Sequence, residues 1–207
     1  PWGDGFPGWH IECSAMSMKG FGTETIDIHT GGIDHIPVHH ENEIAQSEGA
    51  TGKEFVKYWV HHAFLQVDGQ KMSKSKKNFY SLKDITDKNI DPLALRYLFL
   101  QTHYRKPMNF TWEAAQGAGH ALTHLRAQVH ELGTDKNESD NEITSNTFIA
   151  QVKSHLADDL NTAQALATLH EVVKSDLSDL EKRQTVLTID TILGLNLEVP
   201  NEPIPDE

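Results

Sequence analysis

Cysteine is almost absent from this chain. Its 207 residues hold one, Cys13, so no disulfide can close within it and a reducing compartment, the cytoplasm, is the expected location. Long apolar runs are lacking too: none approaches the roughly 18 residues that span a bilayer, and Pro1-Trp2-Gly3 opens no charged and apolar leader. No membrane association is expected. Positive charge is also scarce. The net charge of −12 argues against a surface built throughout for a polyanion. The deficit is uneven: residues 1–132 carry 13 Lys and Arg against 15 Asp and Glu, whereas residues 133–207 carry 5 against 15. Eleven of the 13 histidines precede residue 133, which is where metal or phosphate chemistry is to be sought. A hydrophobic content of 38% supports one good core or two modest ones.

Up to about residue 80, Gly-rich turns (Gly3, Gly5, Gly8, Gly31-Gly32) alternate with short apolar runs. Thr25 to Ile28 and Phe64 to Val67 read as strands, and Glu41 to Ser47 and Glu54 to Val60, which lack breakers, read as helices. That alternation predicts a partial α/β sheet. From Asp91-Pro92 the pattern turns helical, with Asp91 as cap and Pro92 in the first turn. A long helix is predicted from Thr111 to Leu132, where Ala115, Ala118, Leu122, Leu125 and Val129 recur at three and four. Gly133 to Ser145 reads as an acidic loop, followed by helices over Asn146 to Leu156, Thr162 to Leu177 and Leu180 to Leu193. The proline-bearing tail from Val199 reads as extended or disordered. Asp158-Asp159 reads as a cap and dipole partner at a helix start.

His39 and Glu43 stand four apart, so on a helix they share a face and can grip one ion, with His40 directed elsewhere. Cys13 is the natural third ligand. Spacing alone equally allows a solvated His/Glu pair and a small buried cysteine. The order is not His-Glu-x-x-His, which argues against a peptidase.

After the turn Asp68-Gly69 comes Lys71-Met72-Ser73-Lys74-Ser75-Lys76-Lys77-Asn78. As charge alone it is a solvated loop, but Lys-Met-Ser-Lys-Ser is the signature loop of class I aminoacyl-tRNA synthetases. With it, the segments Pro7 to Met16 and His39 to Glu48 resemble cysteinyl-tRNA synthetases in particular. Asp27-Ile28-His29 with Gly31-Gly32, His103 to Phe110 and Asp158 to Thr162 extend the resemblance over nearly the whole chain.

The resemblance implies a partial Rossmann-like nucleotide-binding domain followed by an all-α helical domain. It would run as residues 1–85 with the zinc site and lysine loop, a connecting element over 86–112, a helical bundle over 113–198 and a flexible tail over 199–207. It implies zinc at Cys13, His39 and Glu43, with cysteine bound by Trp9 and His10. His29, Lys71 and Lys74 would be catalytic, Lys74, Gly31 and Asp34 would contact ATP, and Arg105 and Lys106 would contact tRNA. The implied reaction is ATP-dependent activation of L-cysteine, with magnesium accompanying ATP, and transfer to tRNA(Cys) by a monomer. Zinc would bind the substrate thiolate and reject serine, which a purely organic pocket separates by only about 1 to 3 kcal/mol.

The family's His-Ile-Gly-His signature and its fourth zinc ligand, an early cysteine, do not occur in these residues. The expectation is therefore that the 207 residues alone do not complete adenylation. Lys76-Lys77 stand where the family usually has Leu-Gly, Thr30 where it has glycine, and Pro37-Val38 where it has Phe-Pro. Two rival readings are a ligase joining cysteine to an amino sugar and a non-catalytic zinc or RNA-binding remnant.

Overall fold

The computed structural model describes residues 3–4, 8–73, 75–133 and 144–199. Lys74, most of the acidic loop and the tail beyond Val199 lie outside the described residues, so the readings made for them are not addressed. The backbone divides into two units, Pro1–Phe64 with Tyr104–Pro107, and Leu65–His103 with Met108–Glu207.

The first unit opens on α1 (His10–Phe21), a helix the sequence reading did not anticipate among the glycine turns. No breaker intervenes before Gly20, Glu12 and Lys19 lie at the ends that suit the helix dipole, and Gly22 closes the helix at φ 64°, its N–H reaching Met18 O. Strand β1 (Ile26–Gly32) leads through a tight 3₁₀ turn at Ile33–His35 and a π-helical turn at Ile36–His40 into α2 (Glu41–Thr51). Strand β2 (Val56–His62) then returns parallel to β1, with Ile26 opposite Val56 and His29 opposite Trp59.

The helix expected over Glu54 to Val60 is therefore a strand. The absence of breakers does not specify a helix. Val56, Tyr58, Trp59 and Val60 are β-branched or aromatic, and pairing with β1 outweighs any local helical preference. The core of this unit is small: Ile26, Phe55 and Val56, with Met18 and Trp59 against them.

The second unit begins with a hairpin, β3 (Leu65–Val67) and β4 (Gln70–Lys71), whose turn residues Asp68 and Gly69 both have positive φ, 49° and 71°. That is what a two-residue hairpin loop needs to match strand twist. Strand β5 (Met108–Phe110) runs parallel to β3, completing the order β4-β3-β5.

The helices are α3 (Leu82–Thr86), α4 (Pro92–Leu100), α5 (Trp112–Glu131), α6 (Asn146–Ala157), α7 (Thr162–Lys174) and α8 (Asp179–Leu193). Their starts carry the side-chain caps that satisfy orphan N–H groups: Ser81, Asp91, Thr111, Asn161 and Ser178 each accept from the first turn. Ala115, Ala118, Leu122, Leu125 and Val129 of α5 are all buried, joining Leu169 and Val172 of α7 and Ile189 and Leu193 of α8 in one core.

Asp158 and Asp159 do not cap α7. Asp158 ends α6, Asp159 and Leu160 turn the chain in left-handed backbone at φ 53° and 56°, and Asn161 is the cap. Among the described residues no helix is long and apolar enough to cross a membrane.

Candidate metal centre and lysine loop

Three elements of the first unit converge on Glu43. Helix α2 carries Glu43 in its first turn, where the carboxylate also suits the helix N-terminus. It is fully buried, and a buried carboxylate requires compensation. Oε2 lies 2.8 Å from His29 Nε2 on β1, and Oε1 lies 3.2 Å from His39 Nε2 without the alignment of a hydrogen bond, so Oε1 has no hydrogen-bond partner.

Helix α1 brings Cys13 to the same place. One ligand atom each from Cys13, His39 and Glu43 lie within 4.8 Å of one another. Burial first, and then the Glu43 carboxylate, push the Cys13 thiol above its ordinary pKa. The unpartnered buried Oε1 leaves the carboxylate short of the partner that a buried acid requires. Sulfur, nitrogen and oxygen in this arrangement fit zinc, whose bonds to them are about 2.0 to 2.3 Å.

Imidazoles surround the set. His10 Nδ1 is 2.8 Å from His39 Nδ1, which leaves His39 Nε2 facing Glu43. His40 Nδ1 is 2.7 Å from His61 Nε2 on β2. His40 is 3% exposed, and burial together with the neighbouring imidazoles lowers its pKa to about 4, so it is neutral. His61 is likewise lowered, by burial and then by the Arg105 guanidinium.

The expectation that His40 points away from the site is corrected. The turn at 36–40 is π-helical, so the angular step assumed for an α-helix does not apply and both histidines face inward. Gly31 has a packing reason: a Cβ there would meet His40 Cε1 at 2.6 Å and His35 Nδ1 at 2.8 Å.

Four other expected site residues of this unit are solvent-exposed. Trp9 precedes α1 and is 69% exposed, Asp34 is exposed in the 3₁₀ turn, and Arg105 and Lys106 are exposed beside Tyr104, whose ring Arg105 overlies at 5.2 Å.

In the second unit, Lys71 ends the hairpin and is exposed. The loop after it is held by Asn78, whose Oδ1 accepts from Ser73 N at 2.8 Å and whose Nδ2 donates to Lys71 O at 3.2 Å. Ser73 Oγ accepts from Lys76 N at 3.3 Å. Met72 and Tyr80 set the loop's flanks against an apolar cavity of about 200 Å³ shared with Leu65, Ile85 and Phe99. The result is a compact loop displaying Lys71, Lys76 and Lys77 to solvent.

Residues 1–119 match the family model for the class I (C) tRNA synthetase catalytic domain, and residues 151–198 match the DALR domain. The chain belongs to the class I cysteinyl-tRNA synthetase family.

Curated relatives include cysteine–tRNA ligase 1 of Burkholderia lata, 46% identical over 95% of this chain and 41% of its own length, and the cysteine–tRNA ligases of Opitutus terrae, 45% identical over 98% and 42%, and Protochlamydia amoebophila, 41% identical over 99% and 46%. The synthetase chain thus spans rather less than half the length of these relatives. Among solved structures, the LeuRS of Agrobacterium radiobacter K84, in a ternary complex with tRNA and LeuAMS, superposes with a TM-score of 0.58 over 83% of this chain and 26% of its own, at 18% identity, a likeness of fold.

His40 and His61 belong to this imidazole cluster and were missed by sequence reasoning. The signal available for His61 was its place in Val60-His61-His62, hidden because that segment was read as a helix end instead of a strand whose register sets His61 opposite Gly31.

Proposed function

We propose that this chain supplies the thiol-recognising zinc site and the phosphate-contacting lysine loop of a cysteine–tRNA ligase. The carrying observation is the convergence of Cys13, His39 and Glu43 around a fully buried carboxylate with an unpartnered oxygen. The names of the relatives, each a cysteine–tRNA ligase, favour tRNA over an amino sugar as acyl acceptor.

Bound zinc would supply a Lewis-acidic seat that takes a thiolate far better than a hydroxyl at neutral pH. The chain's own residues prepare that seat. His10 fixes the ring of His39, and with Nδ1 of His39 carrying the proton its Nε2 is the ligating atom. His29 holds the Glu43 carboxylate through Oε2. In this reading Trp9 would line the cysteine pocket, and Gly31 and Asp34 would contact ATP.

The first stage is attack of the cysteine carboxylate on the α-phosphate, giving cysteinyl-adenylate and pyrophosphate, and magnesium accompanies the ATP. Charge grows on the departing pyrophosphate, so Lys71 and Lys74 stabilise the transition state more than the ground state. The second stage passes the acyl group from the adenylate to a ribose hydroxyl at the 3′ end of tRNA, breaking the acyl–phosphate bond and releasing AMP, with Arg105 and Lys106 on the acceptor stem.

Cobalt(II) in place of zinc gives the test. The cobalt-loaded protein is expected to show a thiolate charge-transfer band from Cys13 that strengthens on adding L-cysteine and not L-serine. A cobalt spectrum unchanged by Cys13→Ser and indifferent to cysteine would overturn the reading.

A further inference from the structure

Glu43 is placed between two donor sets, not one. Beside Cys13 and His39, one ligand atom each from His29, His40 and Glu43 also lie within 4.8 Å of one another. The carboxylate divides between them: Oε1 faces His39 Nε2 at 3.2 Å, and Oε2 faces His29 Nε2 at 2.8 Å. The second set carries its own orienting contact, because His61 engages His40 Nδ1 at 2.7 Å and so leaves Nε2 as the ligating atom, as His10 does for His39 in the first.

The set is built into the fold. His40 and Glu43 are 3% and 0% exposed, and Gly31 lacks the side chain that would press on the His40 ring. His29 is fixed by strand pairing opposite Trp59, whose ring meets its own edge to face at 5.0 Å between centroids.

We propose that His29, His40 and Glu43 form a second divalent-metal position, bridged to the Cys13/His39 position through the Glu43 carboxylate and filled when zinc is in excess. Two imidazoles and one carboxylate oxygen are a donor set for zinc, cobalt or nickel, not for magnesium or calcium, which take oxygen almost alone. Carboxylate-bridged metal pairs stand about 3.5 to 4 Å apart, a separation one carboxylate spans. The second ion would meet the field of the first and so bind more weakly.

The position shares Glu43 with the zinc reading above but does not depend on Cys13, and the two can fail separately. A cobalt(II) titration followed in the visible and near-ultraviolet reads both. In the wild type, the thiolate charge-transfer band is expected to saturate at one equivalent while the d–d bands grow to two.

His29→Gln and His40→Gln should each lose the second equivalent and keep the thiolate band. Cys13→Ser should lose the band and keep one histidine-bound equivalent. Thermal unfolding checks each variant, and should His40→Gln not fold, His29→Gln decides. Saturation at one equivalent in the wild type, or a second equivalent that survives in His29→Gln, overturns the proposal. Absence of the thiolate band with a histidine-dependent equivalent still present would sink the Cys13 reading and leave this one standing.

Discussion

Lys77 holds left-handed backbone at φ 53°, in the lysine loop, at the position where cysteinyl-tRNA synthetases usually carry glycine. A side chain there costs about 1 to 2 kcal/mol, and glycine gives back roughly 0.5 to 1 kcal/mol through the freedom it adds to the unfolded chain. The first effect is the larger. Lys77→Gly is expected to stabilise the second unit by about 0.5 to 1 kcal/mol, read as a higher urea midpoint at unchanged slope. The opposite sign is expected at Gly69, φ 71° in the hairpin turn: Gly69→Val should cost about 1 kcal/mol or more of stability, read as a lower urea midpoint. Glu43 makes the same kind of argument through charge. Its carboxylate is buried between groups suited to a cation, so Glu43→Ala should remove bound zinc, measured by metal analysis, while truncation at exposed Glu41 should not.

At the scale of single elements, α3 is only five residues long and depends on its capping box. Ser81 Oγ accepts from Asp84 N, and Asp84 Oδ2 accepts from Ser81 N at 2.6 Å. The Ser81 hydroxyl, donating to Asp84 Oδ2 at 2.6 Å, and then the Ser81 N–H hold the Asp84 carboxyl below the usual carboxylate range. Ser81→Ala is expected to cost about 1 kcal/mol by chemical denaturation.

Caps and periodicity are local signals, which is why α4 through α8 could be read to within a few residues from Asp91-Pro92, Thr111 and the spacing of Leu122, Leu125 and Val129. The elements that were not legible are set by non-local contacts. β2 is a strand because β1 lies beside it, and α1 was hidden by the glycines before it. His40 turned inward through a π-helical turn that no heptad or alternation announces. The positions of Cys13, His39 and Glu43 could be named from sequence order, but the divided carboxylate between them needed coordinates.

For the molecule as a whole, acid sensitivity should have a recognisable source in the helical unit. His170 on α7 sits 2.8 Å from Tyr97 Oη on α4, and burial, followed by the charges of Lys174 and His124, lowers its pKa. The folded state therefore favours the neutral ring, and between the folded value and the ordinary value of about 6.5 the unfolded chain binds more protons. Its contribution is complete above about pH 6.5 and is lost as pH falls towards the folded value. A urea series across pH 7 to 5 should show stability declining in that window, with a shallower decline in His170→Gln.

The parallel pairing of β1 with β2 also sets an order of events. The β3–β4 hairpin closes over two residues, a microsecond process. Ile26 meets Val56, thirty positions further along the chain, only after the crossover over residues 33–55 has been gathered, and contacts of that sequence separation form late. Cys13 and Glu43 are equally far apart along the chain, so the proposed metal ligands come together after the lysine hairpin already exists. On the zinc reading proposed above, a refolding chain would thus capture its metal ion as one of its last steps, and metal supply would govern how long the unfinished first unit persists.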